Sequence, residues 1–138
     1  MGMGRRMIRG RARCKWRSSG GDRKTADIKP RYAYDVLTRH SSPFLTNKRL
    51  FAMADTGAPD GIKCDTFGNV YSGCGDGVNV WSSGGVLIGR IVIPGGVANF
   101  CFTRKGELVL LNETKVWVVS VSREVEGALL KGMGVEVD

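Results

Sequence analysis

Sliding the sequence along itself by 38 residues superposes two segments without a gap. Ile62-Lys63-Cys64 falls on Phe100-Cys101-Phe102, Gly68 on Gly106, Val70 on Leu108, Val78 on Val116 and Val80 on Val118. Each copy reads strand, glycine-containing turn, strand, short polar turn, strand. Gly68 and Gly106 stand where a hairpin loop needs a residue with positive φ. Asp76-Gly77 is a hairpin dipeptide, whereas its counterpart Thr114-Lys115 is a less usual turn. A period of this length suits one four-stranded blade of a β-propeller. The competing explanation is a chance likeness between two β meanders.

Short β-rich runs continue on both sides of the repeat. The expected strands are Tyr32–Leu37, Lys48–Ala52, Gly61–Cys64, Val70–Ser72, Gly77–Trp81, Val86–Ile93, Ala98–Phe102, Leu108–Leu111 and Lys115–Val121. They are rich in β-branched and aromatic residues and bounded by Gly, Asp and Asn, which predicts an all-β architecture. Only the glycine-broken stretch after Ser122 carries a weak helical pattern. One full blade spans Gly61 to Ile93, a second begins at Ala98, and Tyr32–Leu37 with Lys48–Ala52 read as the outer strands of a preceding blade. The expectation is a partial propeller of about two and a half antiparallel four-stranded blades. Propellers close with at least about four blades, so this length predicts an open one.

Charge separates the chain into two parts. Residues 1–31 hold 11 Lys and Arg against 2 acidic residues, or +9, while residues 32–138 come to −1. The formal +8 of the 138-residue chain therefore describes a basic leader and not the β-rich body. Arg5 to Arg17 alternate with single apolar residues, and Ser18-Ser19-Gly20-Gly21 forms a hinge. Such a segment buries too little apolar surface to offset ordering entropy, so residues 1–31 read as a disordered leader. It has no apolar core of a secretory signal. Three readings compete: a solvated tail, a mitochondrial-type transit segment, or a tail that binds nucleic acid or an anionic surface. A cytoplasmic protein is favoured, and no run approaches the ~20 apolar residues of a membrane span. Glycine, 20 of 138 residues, is about twice its usual share, as many tight turns would require.

Three spaced stretches carry a more specific signal. They are Asn47-Lys48-Arg49-Leu50-Phe51-Ala52; then Gly57-Ala58-Pro59-Asp60-Gly61-Ile62 with Asp65-Thr66-Phe67-Gly68-Asn69-Val70-Tyr71; then Gly73 to Trp81 with Pro94-Gly95-Gly96-Val97-Ala98-Asn99-Phe100. Together they resemble the gluconolactonase, senescence-marker-protein and luciferin-regenerating-enzyme family, most of all its fungal gluconolactonase-like members. The resemblance runs from about Tyr32 to Val121, the C-terminal third of a family member. It implies a six-bladed propeller with a divalent cation in the central channel and hydrolysis of sugar lactones or related cyclic esters. It also implies metal ligands from an early-blade Glu, a middle-blade Asn and the Asp of Pro-Asp-Gly. Only the last maps onto this chain, as Asp60.

Asp60 precedes an innermost strand, so its carboxylate would face the channel. There it could ligate Ca²⁺, Mg²⁺ or Zn²⁺, or act as general base toward a water. The plainer reading is a turn before a strand, because Pro, Asp and Gly all form turns. Asn99 starts the inner strand of the next blade and is a candidate substrate contact. A strand-start amide that satisfies backbone groups is its alternative. Asp65, Asp76 and Glu113 read as turn residues. His40, near Ser41 and Ser42, has no motif that makes a nucleophile pair of them. Cys14, Cys64, Cys74 and Cys101 lack metal or redox spacing, and Cys64 and Cys101 lie on inner strands where buried free thiols pack well. Trp81 and Trp117 read as packing residues.

Three functions remain open. The first is a lactonase-type hydrolase, truncated, with Asp60 as its catalytic and metal-binding residue. The second is a non-catalytic propeller fragment or interaction module whose open strand edges self-associate. The third is a basic-tail nucleic-acid binder.

Overall fold

The computed structural model describes residues 6–8 and 30–134. The residues of the basic leader other than Arg6–Ile8, Pro30 and Arg31 lie outside the described ones, and so does Cys14. Among the described residues, ten strands and one short helix follow in chain order: β1 Arg6–Ile8, β2 Pro30–Arg39, β3 Ser42–Met53, β4 Ile62–Cys64, β5 Val70–Cys74, β6 Gly77–Trp81, β7 Leu87–Val92, β8 Asn99–Phe102, β9 Glu107–Leu111, β10 Val116–Ser120 and α1 Ala128–Gly132. They form three antiparallel sheets, ordered β1-β2-β3, β4-β5-β6-β7 and β10-β9-β8. The architecture is all-β, a partial propeller in which each sheet is a blade built from consecutive strands.

The 38-residue repeat is the register of two of these sheets. In the first, Tyr71 faces Val80 and Gly73 faces Val78. In the second, the equivalent Val109 faces Val118, and Leu111 faces Val116. Gly68 and Gly106 have φ of +83° and +75°, the left-handed backbone expected at those turns. The hairpin between β5 and β6 turns on Gly75-Asp76, one residue earlier than expected, because Cys74 pairs with Gly77.

The sheets stack through two apolar layers. Tyr71, Val78, Val80, Ile93 and Val97 meet Phe100, Phe102, Leu108 and Leu110 between the second and third sheets. Tyr71 and Phe102 stand edge to face, with ring centroids 5.1 Å apart. Ala52, Ala54, Cys74 and Trp81 fill a smaller layer between the first and second sheets.

Several expectations are corrected. β2 begins at Pro30, two residues before the expected strand start at Tyr32, and Arg6–Ile8 pairs along it, with Met7 opposite Tyr34. β2 and β3 form one long hairpin that turns on His40 and Ser41, both with positive φ. Cys64 is half-buried and Cys101 is exposed, while the buried thiol is Cys74; all three are free. The 38-residue shift places Cys101 on Lys63 and Cys64 on Phe102. An offset of one residue along a strand reverses the face, so Cys101 points away from the core that holds Phe100 and Phe102.

Candidate functional site

Asp60 ends the connection between β3 and β4, where the chain passes from one blade to the innermost strand of the next. Its backbone is held from three sides. Asp60 N–H donates to the Gly73 carbonyl at 2.8 Å, Gly61 N–H donates to Ala98 O at 2.8 Å, and Gly73 N–H donates to Gly61 O at 3.0 Å. The Asp60 side chain itself is exposed. A fixed backbone under a solvent-facing carboxylate is the arrangement that presents a reactive group from a rigid scaffold.

The residue beneath it is Arg31, which charge counting assigns to the leader. Arg31 is only 3% exposed. One of its terminal nitrogens donates to the Asp60 carbonyl and, at 2.7 Å, to Ser72 Oγ. Ser72, fully buried in β5, donates in turn to Gly61 O at 3.1 Å. Arg31 and Ser72 thus clamp the Pro59-Asp60-Gly61 turn to the central blade. Burial lowers the guanidinium pKa, and the nearby Cys74 and Asp60 act in the opposite direction. Arg31 Nε and both amide atoms of Asn79, the cross-strand neighbour of Ser72, are buried without a protein partner. The legible signal for Arg31 is the alternation Pro30-Arg31-Tyr32-Ala33-Tyr34, with proline at a strand's first residue, where its missing N–H is tolerated.

Asn99 comes to the same place. A Cβ built on Gly61 would lie 2.5 Å from Asn99 Oδ1 and 3.0 Å from Ala98 O. Glycine is required there because the inner ends of two neighbouring blades touch. Asn99 Oδ1 accepts the Phe100 N–H at 2.9 Å, so this amide satisfies backbone and also borders the Asp60 turn.

The other candidates stand apart in role. Asp65 is a turn residue, and a buried one. It accepts from Phe67 N–H, Asn69 N–H, Asn69 Nδ2 and Tyr71 Oη at 2.9 to 3.2 Å. Burial, reinforced by Asp65, raises the Tyr71 pKa. Asp76 lies in the β5–β6 turn and Glu113 in the β9–β10 turn. His40 is part of a hairpin tip, and Trp81 is buried packing. Trp117 packs against the larger core and borders a shallow cleft with Pro94, Asn112 and Lys115.

The described residues do not assemble a cation site. No group of three or more His, Cys, Asp and Glu stands together among them. A calcium site takes 6–8 oxygen ligands, and this end of the blades offers one carboxylate and one amide oxygen already in use. No helix among the described residues is long and apolar enough to cross a membrane.

No protein-family model matches the chain, and no curated protein does. Solved structures do. A gluconolactonase from Xanthomonas campestris, described as important in glucose secondary metabolic pathways, superposes with a TM-score of 0.60 at 30% identity, over 67% of this chain and 30% of that one. A structural-genomics target assigned as a gluconolactonase superposes with a TM-score of 0.57 at 22% identity, over 72% of this chain and 36% of its own. The chain spans about a third of the length of either. Over about two thirds of this chain, the fold of these blades is gluconolactonase-like.

Proposed function

We propose that this chain carries the Asp60 end of a lactonase-type hydrolase site. The observation that supports it is the clamped turn: an exposed carboxylate on a backbone fixed by Arg31, Ser72, Gly73 and Ala98, bordered by Asn99, in a gluconolactonase-like fold. In lactone hydrolysis a water adds to the ring carbonyl carbon, the acyl C–O bond of the ring breaks, and the freed ring oxygen takes a proton. Asp60 is suited to accept the water's proton, because a carboxylate within hydrogen-bond reach of that water serves as general base. Asn99 is placed to orient a ring hydroxyl or carbonyl beside it. The substrate class is a sugar lactone or related cyclic ester.

The resemblance also implies a divalent cation. Asp60 would contribute one ligand to it, and further donors must come from outside the described residues. This same shortage of ligands favours a second reading, a non-catalytic propeller module.

The two readings separate in one assay. Proton release from glucono-δ-lactone is followed with the full chain, with and without added Ca²⁺, Mg²⁺ or Zn²⁺. The hydrolase reading expects opening above the buffer rate and its loss in Asp60→Asn. Equal rates for buffer, wild type and Asp60→Asn would leave only the module.

A further inference from the structure

From the cleft between the second and third sheets, we infer that this chain holds a neutral sugar ring against Trp117, on the face that carries Asp60.

Antiparallel order brings the cleft to that face. β4 runs away from Asp60 and β5 returns, so the β5–β6 turn, the β7–β8 connection and the β9–β10 turn gather at the same end. Hydrogen bonds tie them together there. Gly61 N–H donates to Ala98 O, Ala98 N–H donates to Leu111 O, and Asn112 Nδ2 donates to Pro94 O at 3.3 Å. The cleft, of about 240 Å³, lies between Pro94-Gly95 on one side and Asn112, Glu113, Lys115 and Trp117 on the other. Both walls join described strands, so the cleft does not depend on what adjoins the stack.

The repeat shows that stacked blades need no such cleft. A shift of 38 residues carries Gly57 onto Gly95, Gly75-Asp76-Gly77 onto Glu113-Thr114-Lys115, and Asn79 onto Trp117. In the earlier copy the two loops touch, and a Cβ on Gly57 would lie 3.0 Å from Gly75 Cα. In the later copy a Cβ on Gly95 would meet Asn112 Nδ2 at 3.5 Å, an ordinary contact. Side chains replace the glycines of the turn and keep the loops apart.

The lining chemistry selects the occupant. Trp117 is half-buried, its Nε1 has no protein partner, and Lys115 Nζ stands 5.7 Å from a ring centroid of the indole. An indole face is electron-rich, and the C–H groups on one face of a pyranose are slightly positive, so the two stack. Glu113 and Lys115, both exposed, bring an acceptor and donors to the rim, where ring hydroxyls serve either. Their opposite charges favour neither an anion nor a cation. The volume falls below the roughly 300–1,000 Å³ of sites for drug-sized ligands, which suits a single ring. Binding here does not rest on the lactonase reading, since a glycoside with no lactone bond probes it.

The experiment titrates the full chain with methyl β-D-glucopyranoside and follows the indole N–H resonances by NMR. The Trp117 resonance is assigned by its loss in Trp117→Leu. Wild type is expected to show that resonance moving saturably, with a Kd of about millimolar, while the buried Trp81 stays still. Saturation transfer to the glycoside's ring protons measures the variants. Trp117→Leu and Glu113→Ala are each expected to weaken binding by about fivefold or more. Gluconate and glucosamine, an anion and a cation of similar size, are expected to move the Trp117 resonance less than the neutral glycoside does. An unmoved Trp117 resonance overturns the inference. So do variants that bind as tightly as wild type, or tighter binding of either charged sugar. Should Trp117→Leu fail to fold, Glu113→Ala decides alone, because that side chain is exposed and lies outside the core.

Discussion

At the scale of the residue, Arg31 changes the account most. A guanidinium taken out of water is costly unless its hydrogen bonds are made, and this one spends them on the Asp60 carbonyl and Ser72. Arg31→Met keeps the length of the side chain but leaves those oxygens short of a donor. It is expected to lower stability by about 1–3 kcal/mol in urea unfolding. Asp60→Asn is expected to move stability by less than about 0.5 kcal/mol, because its side chain is exposed and its backbone does the holding. Cys74 gives a pH signature. Burial, reinforced by Asp76, pushes its thiol from 9.0 up to about 11. Between those values the unfolded chain has lost the proton that the folded one keeps, so stability falls as pH rises from about 9 through 11. Wild type is expected to lose about 2 kcal/mol more than Cys74→Ala across that window. Asp60 and Asn99 were legible in the sequence because they sit in motifs that announce a turn and a strand start. For Arg31 the strand alternation marks only the buried face, and its partners stay hidden because they lie 29 and 41 residues away.

At the scale of the element, the turns explain themselves once their side-chain bonds are seen. Thr114-Lys115 looks unsuited to a hairpin, yet Asn112 Oδ1 accepts the N–H groups of both, at 3.1 and 2.8 Å. An Asx turn supplies what the missing glycine does not. Asn112→Ala is expected to cost about 1 kcal/mol by chemical denaturation. The blade junctions are more demanding. A Cβ on Gly73 would collide with the Val97 carbonyl, which is backbone and cannot swing aside. Gly73→Ala is expected to cost about 3 kcal/mol, whereas Gly89→Ala, with nothing within 4 Å, is expected to be neutral within about 0.5 kcal/mol. Nearly every expected strand exists to within a few residues at its ends, because alternation and turn residues act locally. The misassigned face of Cys101 shows where local pattern stops: a shift of one residue, invisible in composition, decides between core and solvent.

At the scale of the whole molecule, the repeat carried the fold. Thirty-eight residues of spacing made consecutive antiparallel blades legible, and the solved gluconolactonases share that arrangement over about two thirds of this chain. What the repeat leaves out is whatever covers the outer faces, since a sequence pattern marks a strand as apolar without naming its neighbour. We propose that these blades present Asp60 to a lactone. This is tested most directly by the rate of glucono-δ-lactone opening by the full chain against Asp60→Asn of equal stability. The wild type is expected to open the lactone above the buffer rate, and the variant's excess rate to fall by at least about 100-fold. A variant as fast as the wild type, or a wild type no faster than buffer, would contradict it.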